Sequence, residues 1–361
     1  MSTSSTLPNN PATADSSDLE YASQLLNSVV LPMVLNAAVQ LDLFEIMARF
    51  GQQGGGGMSA EEIAAMLETS NPEAPAMVDR MLCLLTSYDV VKCSVSSSGS
   101  RVYTMAPMCR YLLKNETGGA SYGPLLKIFH GKVFMETWFH LKDAVLEGGV
   151  PFHRAHGLHL FEYSSKDQAF GEEFNEAMLN HTTMFMSDML EGNKGFEHVN
   201  QLVDVGGGLG ASLSMITSKY PHIKGINFDL PQVIQHAPSY PGVEHVGGDM
   251  FESVPSGDTI FMKYILHDWS DAHCLQLLKN CHKALPEDGK VIVVDANLPE
   301  IPDSGSNTKN ICQLDLNMMA TFPGGKERRA SEFLALAKQA GFSGITHAGC
   351  FRLCWVMEFH K

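Results

Sequence analysis

The chain has 361 residues, with 25 Lys and Arg against 40 Asp and Glu, which gives a formal net charge of -15 when histidine is neutral. This acidic balance repels nucleic-acid phosphates and anionic membrane surfaces, and no basic patch offsets it, so we expect no nucleic-acid or membrane partner. Hydrophobic residues make up 44% and charged residues 18%, which is enough apolar material for a large core. At roughly 150 residues per domain, the length predicts two domains.

The first residues and the cysteines bear on the cellular compartment. Residues 1–20 are polar, lack the basic and apolar regions of a secretory signal, and predict a disordered tail. The longest apolar stretch, 29–39, falls short of the roughly 20 residues that a membrane-spanning helix needs. The eight cysteines include no CxxC pair and no metal-ligand spacing with histidine. These features predict a cytoplasmic protein with reduced thiols and no metal site.

Residues 21–195 predict a mainly helical N-terminal domain. The helical spacing of apolar side chains, together with a capping box at Ser59 and Glu62, predicts a run of helices. Two β-rich segments, 90–95 and 101–105, follow and predict a hairpin. Helices followed by a hairpin predict a winged-helix-like shape, which other proteins use to bind DNA. The negative net charge instead favours a dimerisation or substrate-capping domain.

Residues 196–361 predict a doubly wound α/β domain. Short apolar runs, typical of buried parallel strands, alternate there with amphipathic stretches typical of helices. This alternation predicts a Rossmann-like sheet covered by helices. The predicted strands are 202–205, 225–228, 259–262 and 290–294, and the predicted helices are 211–219, 230–236, 272–284 and 330–340.

A glycine-rich turn follows the first of these strands. Residues 202–210 have the sequence Leu-Val-Asp-Val-Gly-Gly-Gly-Leu-Gly, and Gly206, Gly208 and Ala211 fit the G-x-G-x-x-A fingerprint. On its own, this loop is compatible with NAD or with another nucleoside-bearing cofactor. Asp204, just before the glycines, would repel a pyrophosphate but would accept hydrogen bonds from the ammonium group of an amino acid.

Two further acidic residues follow later strands. Asp229 ends the second strand, at the spacing expected for a carboxylate that binds ribose hydroxyls. Asp249 precedes Met250 in a strand-end loop, where the carboxylate is placed to accept from an adenine amino group. Together with Asp204, these acids predict a ligand with a ribose, an adenine and a cationic amino-acid part. That ligand is S-adenosylmethionine.

These motifs resemble those of the plant small-molecule O-methyltransferases of the caffeic acid/5-hydroxyferulic acid type. The similarity is close at 202–210, 240–251 and 261–271, and it extends over nearly the whole chain after residue 20. It implies a class I S-adenosylmethionine-dependent fold, a homodimer with interlocked N-terminal helices, and a substrate held between the two domains. It also implies transfer without a metal, with S-adenosylhomocysteine as product. The cofactor-binding residues that it implies are Asp204, Gly206, Gly208, Asp229, Leu230, Asp249, Met250, Lys263 and Trp269.

His267 is the predicted catalytic base. It follows a predicted strand, at the edge where open α/β sheets bind ligands. A neutral imidazole can remove the proton of a phenol, whose pKa is about 10, while the oxygen attacks the methyl group. The resemblance implies two acids that orient this histidine, Asp295 and Glu327, although Asp295 is one methylene shorter than the Glu usual there. Asp268 and Asp271 beside it are too few ligands to predict a metal.

The resemblance also implies an acceptor pocket. Phe129 and Phe322 stand where the caffeic acid type has Asn, and Phe134 replaces Leu, so hydrogen-bond partners for ring oxygens are lost. We therefore expect an acceptor that is flatter or more apolar than caffeic acid, such as a coumarin, flavonoid, phenylpropene or alkaloid phenol. The residues implied to line this pocket are Ile128, Phe129, Phe134, Phe170, Phe174, Met178, His181, Leu314, Met318 and Phe322.

The sequence thus predicts an S-adenosylmethionine-dependent O-methyltransferase that acts on a phenolic plant metabolite. Three alternatives stay open at this point: an N-methyltransferase for a small amine, an NAD(P)-dependent oxidoreductase, and a non-catalytic winged-helix regulator. The oxidoreductase would explain the glycine loop but neither Asp204 nor Lys263. The regulator would need a basic face on residues 76–105, which contain only scattered cationic side chains.

Overall fold

A computed structural model describes residues 14–52, 54, 56–114 and 119–361. Packing divides the chain into two compact units, with the division after Lys114. The predicted functional boundary at residue 195 stays a prediction. In terms of packing, the helices that precede it belong to the same unit as the sheet.

Of the predicted tail, 1–20, residues 1–13 lie outside the described residues. Residues 14–20 form the start of the first helix. Apolar side chains of this helix are exposed in the single chain, with Leu26 at 85%. Among the described residues, no single helix is long and apolar enough to cross a membrane. Two bent neighbours, 17–26 and Val30–Gln40, reach that length and composition only as a pair.

The N-terminal unit consists of helices and one hairpin. The predicted capping box is confirmed, because Ser59 Oγ accepts from the Glu62 N–H at 3.2 Å and Glu62 Oε2 accepts from the Ser59 N–H at 2.8 Å. The predicted hairpin is also confirmed as an antiparallel pair. The elements are α1 Ala14–Leu26, α2 Val30–Gln40, α3 Leu43–Gln52, α4 Ala60–Ala64, α5 Ala74–Ser87, β1 Val91–Val95 and β2 Arg101–Met105, before a 3₁₀ turn at Pro107–Tyr111.

The second unit begins with helices and continues as an α/β domain. Its helical part comprises α6 Gly123–Phe129, α7 Lys132–Trp138, α8 Leu141–Glu147, α9 Pro151–His156, α10 Leu160–Lys166 and α11 Gln168–Gly192. The α/β part comprises β3 Gln201–Val205, α12 Ala211–Lys219, β4 Lys224–Asp229, α13 Pro231–Ile234, β5 Val243–Gly247, β6 Thr259–Lys263, α14 Asp271–Ala284, β7 Lys290–Leu298, α15 Ser306–Thr321, β8 Arg328–Arg329, α16 Ala330–Ala340, β9 Gly344–Phe351 and β10 Cys354–His360.

The sheet has the strand order β5-β4-β3-β6-β7-β10-β9, with β8 beside β7. Strands β4, β3, β6 and β7 run parallel, as predicted, and β5, which was not among the predicted strands, runs parallel to β4. Strand β10 pairs antiparallel with β7 and with β9. The chain moves outward from β3 to β4 and β5, and then returns to β6 on the other side of β3. Such a reversal leaves a crevice outside the carboxyl ends of the strands, where open α/β sheets bind ligands.

Alternate residues of the central strands build a core on each face of the sheet. On one face, Val203 and Val291 belong to a cluster that includes side chains of α14 and α16. On the other face, Leu202 and Ile292 belong to a cluster that includes side chains of α11 and α12. Burial on both faces explains why these strands are continuous apolar runs in the sequence.

Candidate active site

The predicted cofactor residues lie at the carboxyl ends of neighbouring strands. Asp204 is the fourth residue of β3, Asp229 ends β4 and Lys263 ends β6. In the sheet, Asp204 pairs with Asn227 on one side and with Phe261 on the other. The chain reversal at β3 therefore brings these residues, which are distant in sequence, to one edge.

Two glycines in the turn after β3 have no space for a side chain. Gly206 has a φ of 69°, in the left-handed region, and a Cβ there would lie 2.4 Å from Ile265 Cδ1. A Cβ at Gly207 would lie 2.1 Å from Asn227 Oδ1 and 2.8 Å from Asp204 Oδ2. These contacts explain Gly206 and Gly207, because only a residue without a Cβ fits at either position. At Gly208 a Cβ would meet open space, and the left-handed φ of 57° is what favours glycine there.

Two buried acceptor atoms beside this turn lack partners. Asp204 Oδ2 and Asn227 Oδ1 have no hydrogen-bond donor among the described residues, and both residues are almost fully buried. Burial raises the pKa of Asp204 to about 7, against the opposing effect of Lys263. Burial also lowers the pKa of Lys263 to about 8, and Asp204 opposes that shift. Unpaired acceptors next to a cation fit a ligand that carries both an ammonium and a carboxylate.

The other cofactor candidates surround the same edge. Asp229 accepts at one oxygen from the Gly208 N–H at 2.8 Å and at the other from the Leu230 N–H at 2.7 Å, while burial raises its pKa. This carboxylate thus fixes the glycine turn. Asp249 is exposed, and its Oδ1 accepts from the Phe251 N–H at 2.8 Å.

Met250 and Trp269 are both partly buried against the sheet core. Asn280 of α14 donates to the Met250 carbonyl at 2.9 Å, which fixes that loop. The Trp269 ring meets Phe251 edge-on, with 4.7 Å between centroids. Both side chains offer the flat or polarizable apolar surface that suits a purine.

His267 lies buried in a short 3₁₀ turn after β6, and Glu327 holds one side of its ring. Glu327 Oε1 is 2.7 Å from His267 Nδ1, and Asp268 Oδ1 is 3.4 Å from Nε2. Burial by itself lowers the pKa of His267, but Glu327, Asp268 and Asp295 outweigh burial and raise it to about 10. Burial raises the pKa of Asp268 to about 7, with His267 opposing. The imidazole is therefore a strong base whose cationic form is stabilised by carboxylates.

Asp295, the second acid implied to orient His267, forms no hydrogen bond to it. It is fully buried on β7, and neither of its carboxylate oxygens has a hydrogen-bond partner in the described part of the chain. Burial raises the pKa of this carboxyl to about 7. Its side chain is one methylene shorter than that of Glu, so it affects His267 through charge alone.

The predicted acceptor pocket is an aromatic cluster in the second unit. Phe134 meets Phe129 edge-on at 5.2 Å and lies stacked with Phe170 at 6.2 Å, measured between ring centroids. Phe152 and Tyr163, which the sequence analysis did not name, belong to the same cluster. The predicted residues found in it are Ile128, Phe129, Phe134, Phe170, Phe174, Met178, Leu314, Met318 and Phe322.

Gly325 connects this cluster to the histidine. A Cβ on Gly325 would lie 2.8 Å from Phe322 Cβ and 3.2 Å from the His267 carbonyl oxygen, so the pocket wall and the histidine backbone both contact this glycine. The aromatic cluster and the base are therefore neighbours.

His181 lies outside that cluster and is linked to His267 by Tyr264. The Tyr264 ring is 5.2 Å from the His181 ring and 5.2 Å from the His267 ring, measured between centroids. Burial, followed by the charges of Lys263, Arg352 and His267, lowers the pKa of His181 to about 3. His181 is therefore a neutral imidazole at physiological pH.

Three residues of this region were not predicted from the sequence: Asn227, Tyr264 and Arg328. Asn227 Nδ2 donates to the Gly208 carbonyl at 2.9 Å. Tyr264 has a φ of 57°, in the left-handed region that aromatic residues rarely adopt. Arg328 is fully buried next to Glu327. Each lies within two residues of a named candidate, so proximity was the only available signal. Within the described residues, no three His, Cys, Asp or Glu side chains form a group that could hold a metal ion.

Two family profiles match the chain. An O-methyltransferase dimerisation domain matches residues 23–115, and an O-methyltransferase domain matches residues 138–343. The first match corresponds to the N-terminal unit, and the second match lies within the unit that holds His267 and the aromatic cluster.

Plant enzymes are similar over most of the chain. A catechol O-methyltransferase of Solanum lycopersicum is 56% identical over 355 residues, covering 94% of each chain. A caffeic acid 3-O-methyltransferase of Capsicum annuum is 55% identical, covering 94% of this chain and 95% of the relative. An esculetin O-methyltransferase of Kitagawia praeruptora is 54% identical, covering 94% of each.

Solved structures share the fold at lower identity. Human N-acetylserotonin methyltransferase in complex with S-adenosylmethionine superposes with a TM-score of 0.81 at 22% identity, covering 98% of this chain and 99% of that chain. CalO1, a methyltransferase of calicheamicin biosynthesis bound to S-adenosylhomocysteine, has a TM-score of 0.80 at 22% identity, covering 97% and 100%.

Proposed function

The chain belongs to the O-methyltransferase family with an N-terminal dimerisation domain, and from that premise we propose how its own residues carry out the reaction. The reaction is S-adenosylmethionine-dependent methylation of a phenolic hydroxyl. When bound, S-adenosylmethionine supplies an electrophilic methyl group on a positively charged sulfur and leaves as S-adenosylhomocysteine. The observation that carries the proposal is a buried imidazole, ion-paired with Glu327, next to an aromatic cluster and to the carboxyl ends of the strands.

Asp204, Lys263 and the glycine turn at Gly206 and Gly208 are proposed to hold the amino-acid part of the cofactor. The unpartnered oxygen of Asp204 suits an ammonium group, and the Lys263 ammonium suits a carboxylate. Asp229 and Leu230 would hold the ribose. Asp249, Met250 and Trp269 would hold the adenine, with the acid accepting from its amino group and the apolar side chains covering its faces.

His267 is proposed as the general base. Glu327 occupies Nδ1, so in the neutral imidazole Nε2, with Asp268 Oδ1 at 3.4 Å, is the nitrogen that takes the phenolic proton while the oxygen attacks the methyl carbon. General-base assistance contributes about 10²–10⁴-fold, and alignment of the acceptor oxygen supplies much of the rest. Glu327, with Asp295 acting at a distance through its charge, stabilises the imidazolium that forms.

The acceptor is proposed to be a flat, largely apolar phenol. Nine of the ten proposed pocket residues belong to one apolar cluster, and His181, the tenth, has a low pKa and stays neutral. The side chains of this cluster are apolar, so burying an acceptor carboxylate against them would be costly. We therefore favour a coumarin, flavonoid, phenylpropene or alkaloid phenol over a free hydroxycinnamic acid.

We propose that the enzyme is a homodimer. The matched dimerisation domain supports this, as do the exposed apolar side chains of α1 and α2, such as Leu26, Val30 and Met33. Light scattering should give about twice the chain mass. A Leu26→Asp variant should shift the protein toward the monomer, whereas Lys142→Asp on α8 should not.

We propose that transfer needs no metal, and one experiment tests this together with the acceptor class. Purified enzyme is incubated with S-adenosylmethionine and a panel of phenols, catechols, hydroxycinnamic acids and small amines, with and without EDTA, and products are identified by mass spectrometry. O-methylated apolar phenols at equal rates in both buffers support the proposal. Loss of product with EDTA would overturn metal independence, preference for caffeic acid would overturn the acceptor class, and N-methylated amines alone would overturn the reaction type.

A His267→Ala variant tests the proposed base in the same assay. We expect product formation to fall by about 10²–10⁴-fold, with binding of S-adenosylhomocysteine kept within a few-fold. His198→Ala, at an exposed histidine just before β3, is the matched control and should keep wild-type activity. If His267→Ala kept wild-type activity, His267 would not be the general base.

A further inference from the structure

Arg328 connects the residues on both sides of His267. Its Nη1 donates to the Leu266 carbonyl at 2.6 Å, and its Nη2 donates to the Trp269 carbonyl at 2.8 Å. Its Nε and Nη2 also donate to Asp271 Oδ1 at 3.0 and 2.7 Å. One planar guanidinium thus holds three points of the loop that carries the base.

The two residues before Arg328 contact the same loop. The Lys326 N–H donates to the His267 carbonyl at 2.8 Å, and Glu327 holds the His267 ring at Nδ1. Arg328 itself starts β8, which is anchored to the sheet by pairing with Asn297 at the end of β7. The strand therefore fixes Glu327, and the guanidinium fixes the loop that brings His267 to Glu327.

Arginine suits this position for a geometric reason. Arg328 is fully buried, and its donors are used by two carbonyls and one carboxylate that point in different directions. A guanidinium presents five donors in a rigid plane, whereas a lysine ammonium is a single point on a flexible stem. Lysine could keep the charge at this place but could not hold Leu266, Trp269 and Asp271 together.

We propose that Arg328 is a positioning residue, which sets the distance of His267 from Glu327 and links it to the cofactor-side residue Trp269. The inference rests on the proposed function, because it assumes that His267 is the base. Arg328 touches no reacting atom and acts through the loop. Misplacement of a catalytic group by about 1 Å can lower the rate by about 10²-fold.

The test compares Arg328→Lys with Arg329→Lys, which makes the same change at the exposed neighbour. We expect kcat of Arg328→Lys to fall by about 10–100-fold at saturating cofactor and acceptor, with KM for the acceptor within about threefold of wild type. A role in folding alone would lower the melting temperature and leave kcat per folded enzyme unchanged. A folded Arg328→Lys enzyme with wild-type kcat would therefore overturn the proposal.

A second pair of variants decides the matter if Arg328→Lys does not fold. Asp271→Ala removes the carboxylate that orients the guanidinium, while Glu332→Ala removes the other partner of Lys326 without touching Arg328. We expect kcat to fall by about 3–10-fold in Asp271→Ala and to stay unchanged in Glu332→Ala. Equal kcat values in the two variants would overturn the proposal.

Wild type and His267→Ala are measured alongside. If His267→Ala keeps wild-type kcat, the proposed base is wrong, and that failure is distinct from a failure of Arg328 to position it.

Discussion

The Oε1 atom of Glu327 lies 2.7 Å from Nδ1 of His267, and both residues are buried. An ionised carboxylate only accepts hydrogen bonds, so Nδ1 carries a proton, and the other ring nitrogen, Nε2, lies 3.4 Å from Asp268 Oδ1. This pair fixes both the orientation and the tautomer of the proposed base. Asp295, by contrast, contributes only its charge.

The two acids should therefore differ in their effect on catalysis. Glu327→Gln keeps the shape but removes the acceptor that fixes the imidazole, and we expect kcat to fall by about 10²-fold. Asp295→Asn, the matched change, loses no hydrogen bond to His267 and should lower kcat by less than about fivefold. Steady-state kinetics with saturating substrates measures both, and an equal loss in the two variants would contradict the assignment.

The pH dependence of activity follows from the raised pKa of His267. Burial opposes this shift, but the carboxylates led by Glu327 raise the pKa to about 10, so the free enzyme holds a proton on His267 at neutral pH. We expect kcat/KM to rise with pH from about 7 toward 10, by up to about tenfold per pH unit. In Glu327→Gln the rise should level off at lower pH, because the largest raising charge is gone. A pH-independent kcat/KM between pH 7 and 9 in the wild type would contradict this.

Asp204 should lower the stability of the free enzyme and strengthen its binding of the cofactor. The pKa of the Asp204 carboxyl is about 7 in the folded protein and 3.8 in the unfolded chain. The free energy of unfolding therefore keeps the full contribution of this group below pH 3.8 and loses it as the pH rises through about 7. Asp204→Asn removes this loss, so at pH 8 the free variant should be more stable by on the order of 1–3 kcal/mol. Its affinity for S-adenosylhomocysteine should fall about tenfold or more.

Thermal unfolding and calorimetric titration measure these two effects. The stability gain of Asp204→Asn should shrink as the pH is lowered from 8 to 5. A variant that is destabilised at pH 8, or that binds S-adenosylhomocysteine as tightly as wild type, would contradict the proposed role. Asp258→Asn, at the amino end of the sheet, is a control expected to leave the affinity unchanged.

The acceptor preference should respond to the aromatic wall of the pocket. Phe129→Asn and Phe322→Asn introduce the Asn side chains that the resemblance implies for O-methyltransferases of the caffeic acid type. We expect kcat/KM for caffeic acid to rise about tenfold relative to kcat/KM for an apolar coumarin phenol. The change should come mainly from the new hydrogen bonds to ring oxygens. Phe139→Asn, at a side chain that is 81% exposed, makes the same substitution away from the pocket. An unchanged ratio in both pocket variants would show that these positions do not select the acceptor.

Local patterns accounted for much of the fold. The predicted helix 330–340 and the capping box at Ser59 are reproduced closely, because each depends on neighbours within a few residues. The antiparallel strands β9 and β10 were not predicted. The pairing of β10 with β7 is a long-range contact, and nothing local in the sequence specifies that these two strands lie side by side.

The sequence alone determined which chemical groups the site contains. The glycine turn, the strand-end acids and His267 each belong to a short local motif that can be identified from neighbouring residues. Only the tertiary structure decided how those groups act together. It paired His267 with Glu327 across 60 residues and left Asp295 without a hydrogen bond. It also buried Arg328 under the loop of the base. The physical reason is that pKa values and hydrogen-bond geometry depend on burial and on neighbours brought together by the sheet, and these are not local properties of a sequence.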